Sequence, residues 1–216
     1  MQALKIPTRH CKICFKEIND NSIRNIFVKQ NNICENCYKE FNPKFTKFKH
    51  GNINCLAIYE YDQTIKDLLY KFKGCYDYEL KDVFLERYLW YFKLKYYGYK
   101  IICLPSYYLE DEKRGFNHVN EIAKSLKLPI IPALTKTKNI KQANLHSKER
   151  KNIFKYLELS HLEEIRNSKI LIMDDVYTTG SSVDAAIRLI ESAKPKKIEV
   201  LVISKNVKKP HNTNIS

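Results

Sequence analysis

From Cys55 onward, short apolar runs alternate with stretches of helical spacing. CLAIYEY (55–61) predicts a strand, and DQTIKDLLYKFKG (62–74) a helix ended by Gly74. Residues 77–97 space large apolar groups at helical intervals up to Gly98. KIICLP (100–105) predicts a buried strand closed by proline, and 106–116 a polar loop. HVNEIAKSLKL (118–128) reads as a helix and PIIPAL (129–134) as a short strand or extended piece. Residues 135–152 follow neither period and predict a long mobile loop running into a short helix. KILIMDD (169–175) predicts a strand, SSVDAAIRLIESA (181–193) a helix and KKIEVLVIS (196–204) a last strand. Strands alternating with helices imply an α/β fold, its mostly parallel sheet flanked by helices on both faces.

Residues 1–50 differ: their hydrophobic patterning is weak and they hold four of the seven cysteines. The predicted organisation is a zinc-ribbon segment over 1–50, an α/β domain over 51–204 and a frayed basic tail over 205–216. No apolar run approaches the length of a membrane span, and MQALKIPTRHC lacks the apolar core of a secretory signal. A cytoplasmic protein without a transmembrane segment is the expectation.

Lysine and arginine outnumber aspartate and glutamate by 38 to 24, a net charge of +14. Residues 113–155 carry eleven basic side chains against Glu121 and Glu149 alone. Such a field attracts polyanions, whether nucleic acid, phosphorylated metabolites or an anionic surface. Candidate nucleic-acid contacts are Lys39, Lys44 and Lys47, interleaved with Tyr38, Phe41, Phe45 and Phe48, together with Lys136, Lys138 and Lys141 of the basic loop. Aromatics among cations suit base stacking; the same rings would equally serve to pack the N-terminal segment onto the main domain.

Cys11 and Cys14 form one C-x₂-C knuckle, and nineteen residues later Cys34 and Cys37 form another. Each knuckle puts two thiolates on one tight turn, and two turns complete a tetrahedral site. Four protein ligands leave no position for a water, so the zinc expected there is structural. Cys55, Cys75 and Cys103 read as small core residues.

The stretch ILIMDDVYTTGSS (170–182) places Asp174 and Asp175 at the end of an apolar strand, then Val176, Tyr177, Thr178, Thr179, Gly180, Ser181 and Ser182 at the opening of a helix. At the carboxyl end of a parallel strand, side chains project into the crevice where α/β proteins bind ligands. Adjacent carboxylates there need hydroxyls or a metal to answer them. The turn offers backbone N–H groups, hydroxyls and a glycine, a cradle for phosphate. A sugar phosphate with a free diol, such as ribose 5-phosphate, fits both halves.

This stretch resembles the phosphoribosyl pyrophosphate (PRPP) motif of type I phosphoribosyltransferases. With the two knuckles, YKFKG (70–74), LPSYYLEDEKRGFNH (104–118) and QANLHSKERKNIF (142–154), the chain resembles the ComF (ComFC) competence family from Cys11 to about Ser204. His118 stands where that family usually has glutamine. The resemblance implies a type I phosphoribosyltransferase-like sheet with a zinc ribbon packed on it. It implies that Asp174 and Asp175, the candidate catalytic pair, hold the ribose hydroxyls and that Thr178–Ser182 hold the 5-phosphate. It further implies pyrophosphate and Mg²⁺ at the loop beginning with Pro105 and Ser106, with Lys113 and Arg114 adding charge, and the basic loop 135–150 as a lid. The implied role is in natural transformation, in which PRPP, single-stranded DNA and the uptake machinery at the inner membrane are partners. A base-salvage transferase and a DNA-binding zinc protein with a non-catalytic transferase fold are the alternatives. No segment names an acceptor base.

Overall fold

The computed structural model describes residues 9–18, 32–106, 108–136 and 157–207. Helix α1 (Glu35–Phe41) begins inside the second cysteine knuckle, with Cys34 as its N-cap, and strand β1 (Thr46–His50) turns into β2 (Ile53–Glu60). Helix α2 (Gln63–Lys73) starts where the Asp62 side chain accepts from the Ile65 N–H. Two 3₁₀ turns, Tyr78–Asp82 and Glu86–Tyr88, lead into α3 (Leu89–Lys95) and β3 (Tyr99–Cys103). Then come α4 (Tyr108–Arg114), α5 (His118–Lys124), β4 (Leu134–Lys136), β5 (Leu157–Leu159) and α6 (Leu162–Ile165). Strand β6 (Lys169–Tyr177), helix α7 (Ser181–Ser192) and strand β7 (Lys197–Lys205) complete it.

The main sheet has the order β1-β2-β7-β6-β3. β2, β7, β6 and β3 are parallel, and β1 pairs antiparallel with β2 at one edge. Parallel strands must be covered on both faces, and alternation along each strand feeds two cores. Leu171 and Met173 of β6 pack with Ile101, Leu201, Phe72 and Ile122 on one side. Ile170 and Ile172 pack with Ile102, Val200, Ile187 and Ile190 on the other. The first core takes α1, α2, α3 and α5, the second α6 and α7. The mixed α/β architecture with a mostly parallel central sheet is therefore as expected. PIIPAL joins beyond β3 as a single bridge, Ile101 opposite Ile130.

Several expectations need correcting; Cys75, read as a core residue, is exposed, while Cys55 and Cys103 are buried. The span 77–97 is not one helix: Val83, Phe84 and Leu85 are all buried, and three adjacent inward side chains exceed what one helical stripe can present. The polar stretch 106–116 holds a helix, α4, with Glu110 and Asp111 in its first turn and Lys113 and Arg114 in its last, the charge order that the helix dipole favours. Thr46–His50 is a strand of the main sheet. Most of the predicted mobile loop, including Lys138, Lys141 and the lid stretch 137–150, lies outside the described residues, as does the tail from 208.

The cysteine segment packs into the first core through Cys11, Ile33, Cys37 and Phe41. Lys12 pairs with Glu79 (3.1 Å) and Asp82 (3.3 Å), and the Asn32 N–H donates to Glu86 (2.7 Å). The aromatics of 38–48 are used here for packing. Phe41 lies against Tyr59, Phe45 against Tyr88, Tyr91 and Phe92, Phe48 against Tyr177, and the Tyr38 hydroxyl meets that of Tyr88.

Candidate functional site

The parallel strands end at a common edge. There Tyr61 after β2, Leu104, Pro105 and Ser106 after β3, and the end of β6 surround a cavity of about 360 Å³. Asp174 through Ser182 all line it, joined by Lys73, Glu110, His118 and Lys136. The structure thus brings together the acid pair, the small-residue turn and the Pro105–Ser106 loop.

The two acids are treated differently. Asp174 is half-buried; its Oδ1 accepts from the Asp175 N–H at 2.9 Å. Burial, and then the charge of Asp175, push its carboxyl well above the usual carboxylate range. Asp175 is buried, with its side chain 12% exposed. Oδ1 accepts from the Val176 N–H at 2.8 Å. Oδ2 accepts from Lys73 Nζ at 2.5 Å and lies 3.2 Å from His118 Nε2. Burial alone would raise this carboxyl; Lys73 and His118 outweigh it and hold Asp175 well below the usual range. Asp175 is therefore an ionised anchor, while Asp174 is the acid with capacity left for a ligand.

Local sequence explains how His118 and Lys73 arrive. Arg114 and Asn117 both grip Asp111, at 2.8 Å each, across a turn in which Gly115 adopts a φ of +80°. Phe116 stacks on Phe72 of α2 at 5.3 Å. Asn117 caps α5 by accepting from the Asn120 N–H, and this sets His118 as its first residue. Lys73 is the last residue of α2, at the helix end that favours a cation.

Arg114 does not line the cavity. Its side chain is 7% exposed and donates to Asp111, to the Lys73 carbonyl and to Phe116, with Nη1 3.1 Å from His118 Nδ1. Among the described residues, the lysines that face the cavity are Lys73 and, from β4, Lys136. Sequence reasoning missed Lys73. Its signal was a lysine at the terminus of a helix following the first parallel strand.

The turn after β6 opens α7 with Gly180 at a φ of +79°. A Cβ there would collide with the Tyr177 hydroxyl and lie 2.9 Å from His50, so only glycine lets the loop settle. Tyr177 is braced by Phe48 (ring centroids 4.8 Å) and by His50 Nδ1, 2.8 Å from its hydroxyl. Both supports come from β1, so the N-terminal segment props the phosphate-type loop.

At the other end, the Sγ atoms of Cys11, Cys14, Cys34 and Cys37 all lie within 4.8 Å of one another. Cys14 and Cys34 are 3.7 Å apart, against an edge of about 3.8 Å for a tetrahedral zinc site with bonds near 2.3 Å. Burial would raise the Cys11 thiol; backbone N–H groups of Cys14, Cys34 and Ile13 bring it down to about 7. Cys37 is pushed strongly up by burial and by the other three thiols. Four crowded sulfurs that resist joint ionisation are what a soft divalent cation answers.

Lys39, Lys44 and Lys47 are exposed and Lys136 is half-buried. No helix of the described residues is long and apolar enough to cross a membrane.

Residues 112–214 match the model of the phosphoribosyl transferase domain. The competence protein ComFC of Streptococcus pneumoniae (strain ATCC BAA-255 / R6) is 27% identical over 172 residues, 77% of this chain and 77% of that protein. ComFC of Bacillus subtilis (strain 168) is 28% identical over 149 residues, 66% of this chain, and the chain spans 60% of that relative's length. Among solved structures, a hypoxanthine phosphoribosyltransferase from Staphylococcus aureus matches at 14% identity over 56% of this chain and 61% of that one, with a TM-score of 0.34. That superposition is too loose to carry weight. By sequence, domain match and cysteine cluster together, the chain is similar to the ComFC competence proteins, matches the phosphoribosyl transferase domain over residues 112–214, and carries near its N-terminus a four-cysteine cluster consistent with a zinc ribbon.

Proposed function

We propose that this chain binds PRPP at the sheet-edge cavity and acts in natural competence, supporting the entry of transforming single-stranded DNA into the cytoplasm. The observation that carries the reading is that Asp174 and the Thr178–Ser182 turn share one cavity with Lys73. Asp174 accepts from the ribose diol. Backbone N–H groups at the start of α7, with Thr and Ser hydroxyls, receive the 5-phosphate. Lys73 and Lys136 supply positive charge for the pyrophosphate beside Pro105 and Ser106. Asp174 and Glu110 both face the cavity and suit Mg²⁺, which prefers one or two carboxylates plus ligand phosphates. When bound, Mg²⁺ neutralises the pyrophosphate as a leaving group. Zinc is assigned to Cys11, Cys14, Cys34 and Cys37 as a structural ion.

Calorimetry with PRPP, with and without Mg²⁺, tests the central claim. The wild type is expected to release heat that is larger with Mg²⁺, and the Asp174→Ala/Asp175→Ala variant none. No heat from the wild type would remove the premise.

Single-stranded DNA, on the cytoplasmic side of the inner membrane, is assigned to the lysines Lys39, Lys44, Lys47 and Lys136, with Lys138 and Lys141 of the basic stretch that lies outside the described residues. Because the aromatics of 38–48 are packed inward, binding rests on the DNA phosphates. It is therefore expected to be sequence-tolerant and to weaken steeply with salt. Replacing Lys39, Lys44 and Lys47 with alanine should flatten the salt slope, by about 0.7 for each phosphate no longer neutralised. A slope unchanged in the triple variant would place the DNA elsewhere.

A further inference from the structure

His118 has polar neighbours at both ring nitrogens, and their chemistry bears on its tautomer. Arg114 Nη1 stands 3.1 Å from Nδ1, and a guanidinium only donates. Nδ1 must then accept. The remaining ring proton sits on Nε2, which faces Asp175 Oδ2 at 3.2 Å. Ser106 Oγ also reaches Nδ1, at 3.2 Å, tying the Pro105–Ser106 loop to the same ring. The imidazole is enclosed, with its side chain 9% exposed.

We propose that His118 is a positioning residue: a neutral Nε2–H imidazole, locked by Arg114, that holds the anchor Asp175 and the Ser106 loop in place around the bound sugar phosphate. This deepens the PRPP reading and rests on it for the ligand, but not for the tautomer. In this state the ring offers one acceptor and one donor at its two ends, as a glutamine side-chain amide does. Glutamine at 118 can accept from Arg114 through its carbonyl and donate to Asp175 through its NH₂. Ser106, His118 and Asp175 also stand in the order of a nucleophile, a base and an acid. Arg114 donates into the lone pair that such a base would use, so the relay is closed.

The groups facing the ring are Asp175 of β6, Lys73 of α2 on the same carboxylate oxygen, Arg114 of α4 with its partner Asp111, and Ser106. A second proton, on Nδ1, would point at the Arg114 guanidinium. It would remove that acceptor and set a new cation against Arg114 and near Lys73. Protonation strengthens the attraction to Asp175 but breaks the tie that holds α4 and α5 together at the site.

The test uses the full zinc-loaded chain. At pH 7.5, His118→Gln is expected to bind Mg²⁺·PRPP within about threefold of wild type, and His118→Ala to lose about tenfold or more. In parallel, ¹⁵N-imidazole spectra of the wild type should show a neutral ring with bare Nδ1, assigned among the six histidines by its loss in His118→Gln. A glutamine variant as weak as alanine, an alanine variant as tight as wild type, or a ring protonated on Nδ1 at pH 7.5 would overturn the proposal. If the wild type shows no PRPP heat at all, the ligand reading fails, and the imidazole spectrum still decides the tautomer.

Discussion

Stripping zinc from the four-cysteine cluster is expected to lower the melting temperature of the whole chain by ~10 °C or more, with re-addition of one equivalent restoring it. The N-terminal segment has little to hold it otherwise. Up to Phe41, its described secondary structure amounts to one bridge, His10 to Glu17, and the two-turn helix α1. Its ion pairs to the main domain, from Lys12 to Glu79 and Asp82 and from Arg87 to Glu35, are partly exposed and worth ~1 kcal/mol or less each. Structural zinc, by contrast, brings roughly 10–16 kcal/mol of binding free energy in small peptides. Cys11, Ile33, Cys37 and Phe41 share a core with Leu56, Ile58 and Tyr59, so release of the metal exposes apolar surface of the main sheet as well. A loss of about 4 kcal/mol corresponds to ~8–16 °C for a chain of this size. Cys37→Ser should behave as the chelated protein does. The effect should extend to the cavity, because β1 follows α1 directly and its His50 and Phe48 brace Tyr177. Thermal melts and a colorimetric zinc assay check this together; a metal-free protein melting with the holo form would show that the cysteines carry no structural ion.

What the sequence discloses depends on how local the signal is. KILIMDD and KKIEVLVIS carry near-continuous apolar runs because both faces are covered, and such runs have no solvent-facing reading. The acid pair and the turn after it lie within a nine-residue stretch of one connection, so their meeting is guaranteed by chain continuity. Other parts of the site depend on distant packing. Lys73 and Asp175 are 102 residues apart, and nothing local marks their pairing. Arg114 has a sequence position consistent with a ligand cation, but the turn at Gly115 directs it behind His118. β1 was legible in principle. TKFKH alternates, and His50-Gly51-Asn52-Ile53, with Gly51 at a φ of +56°, carries a two-residue hairpin turn. The weak hydrophobicity of an edge strand obscured it. Residues 77–97 misled for the opposite reason: helical spacing is present, but consecutive buried side chains override it.

The adjacent acids should respond to the same substitution with opposite signs. Asp175→Asn removes the charge that answers Lys73, and leaves that lysine and His118 beside a neutral amide. Breaking a buried pair costs about 3–5 kcal/mol; Lys73 is 36% exposed and keeps some solvent, so a loss of about 2–3 kcal/mol is expected. Asp174→Asn should instead stabilise the ligand-free chain at pH 7, by roughly 1 kcal/mol, because it ends the repulsion with Asp175 and keeps an oxygen for the Asp175 N–H. The pH dependence separates them further. The folded carboxyl of Asp175 is depressed, so its contribution is present above the unfolded value near 4 and lost as pH falls toward the folded one. The folded carboxyl of Asp174 is raised, so the native state binds the extra proton and its ionisation costs stability from about pH 4 upward. The advantage of Asp174→Asn should accordingly shrink as pH approaches 4, while the deficit of Asp175→Asn shrinks only below it. Yet both variants should lose PRPP binding, Asp174→Asn because an amide no longer offers two acceptor oxygens to the diol. Urea denaturation at pH 7 and pH 4.5, paired with calorimetry, reads both quantities. If Asp174→Asn is destabilised like its neighbour, Asp174 is a structural acid; a gain in stability with loss of binding is the signature of a residue kept under strain for its ligand.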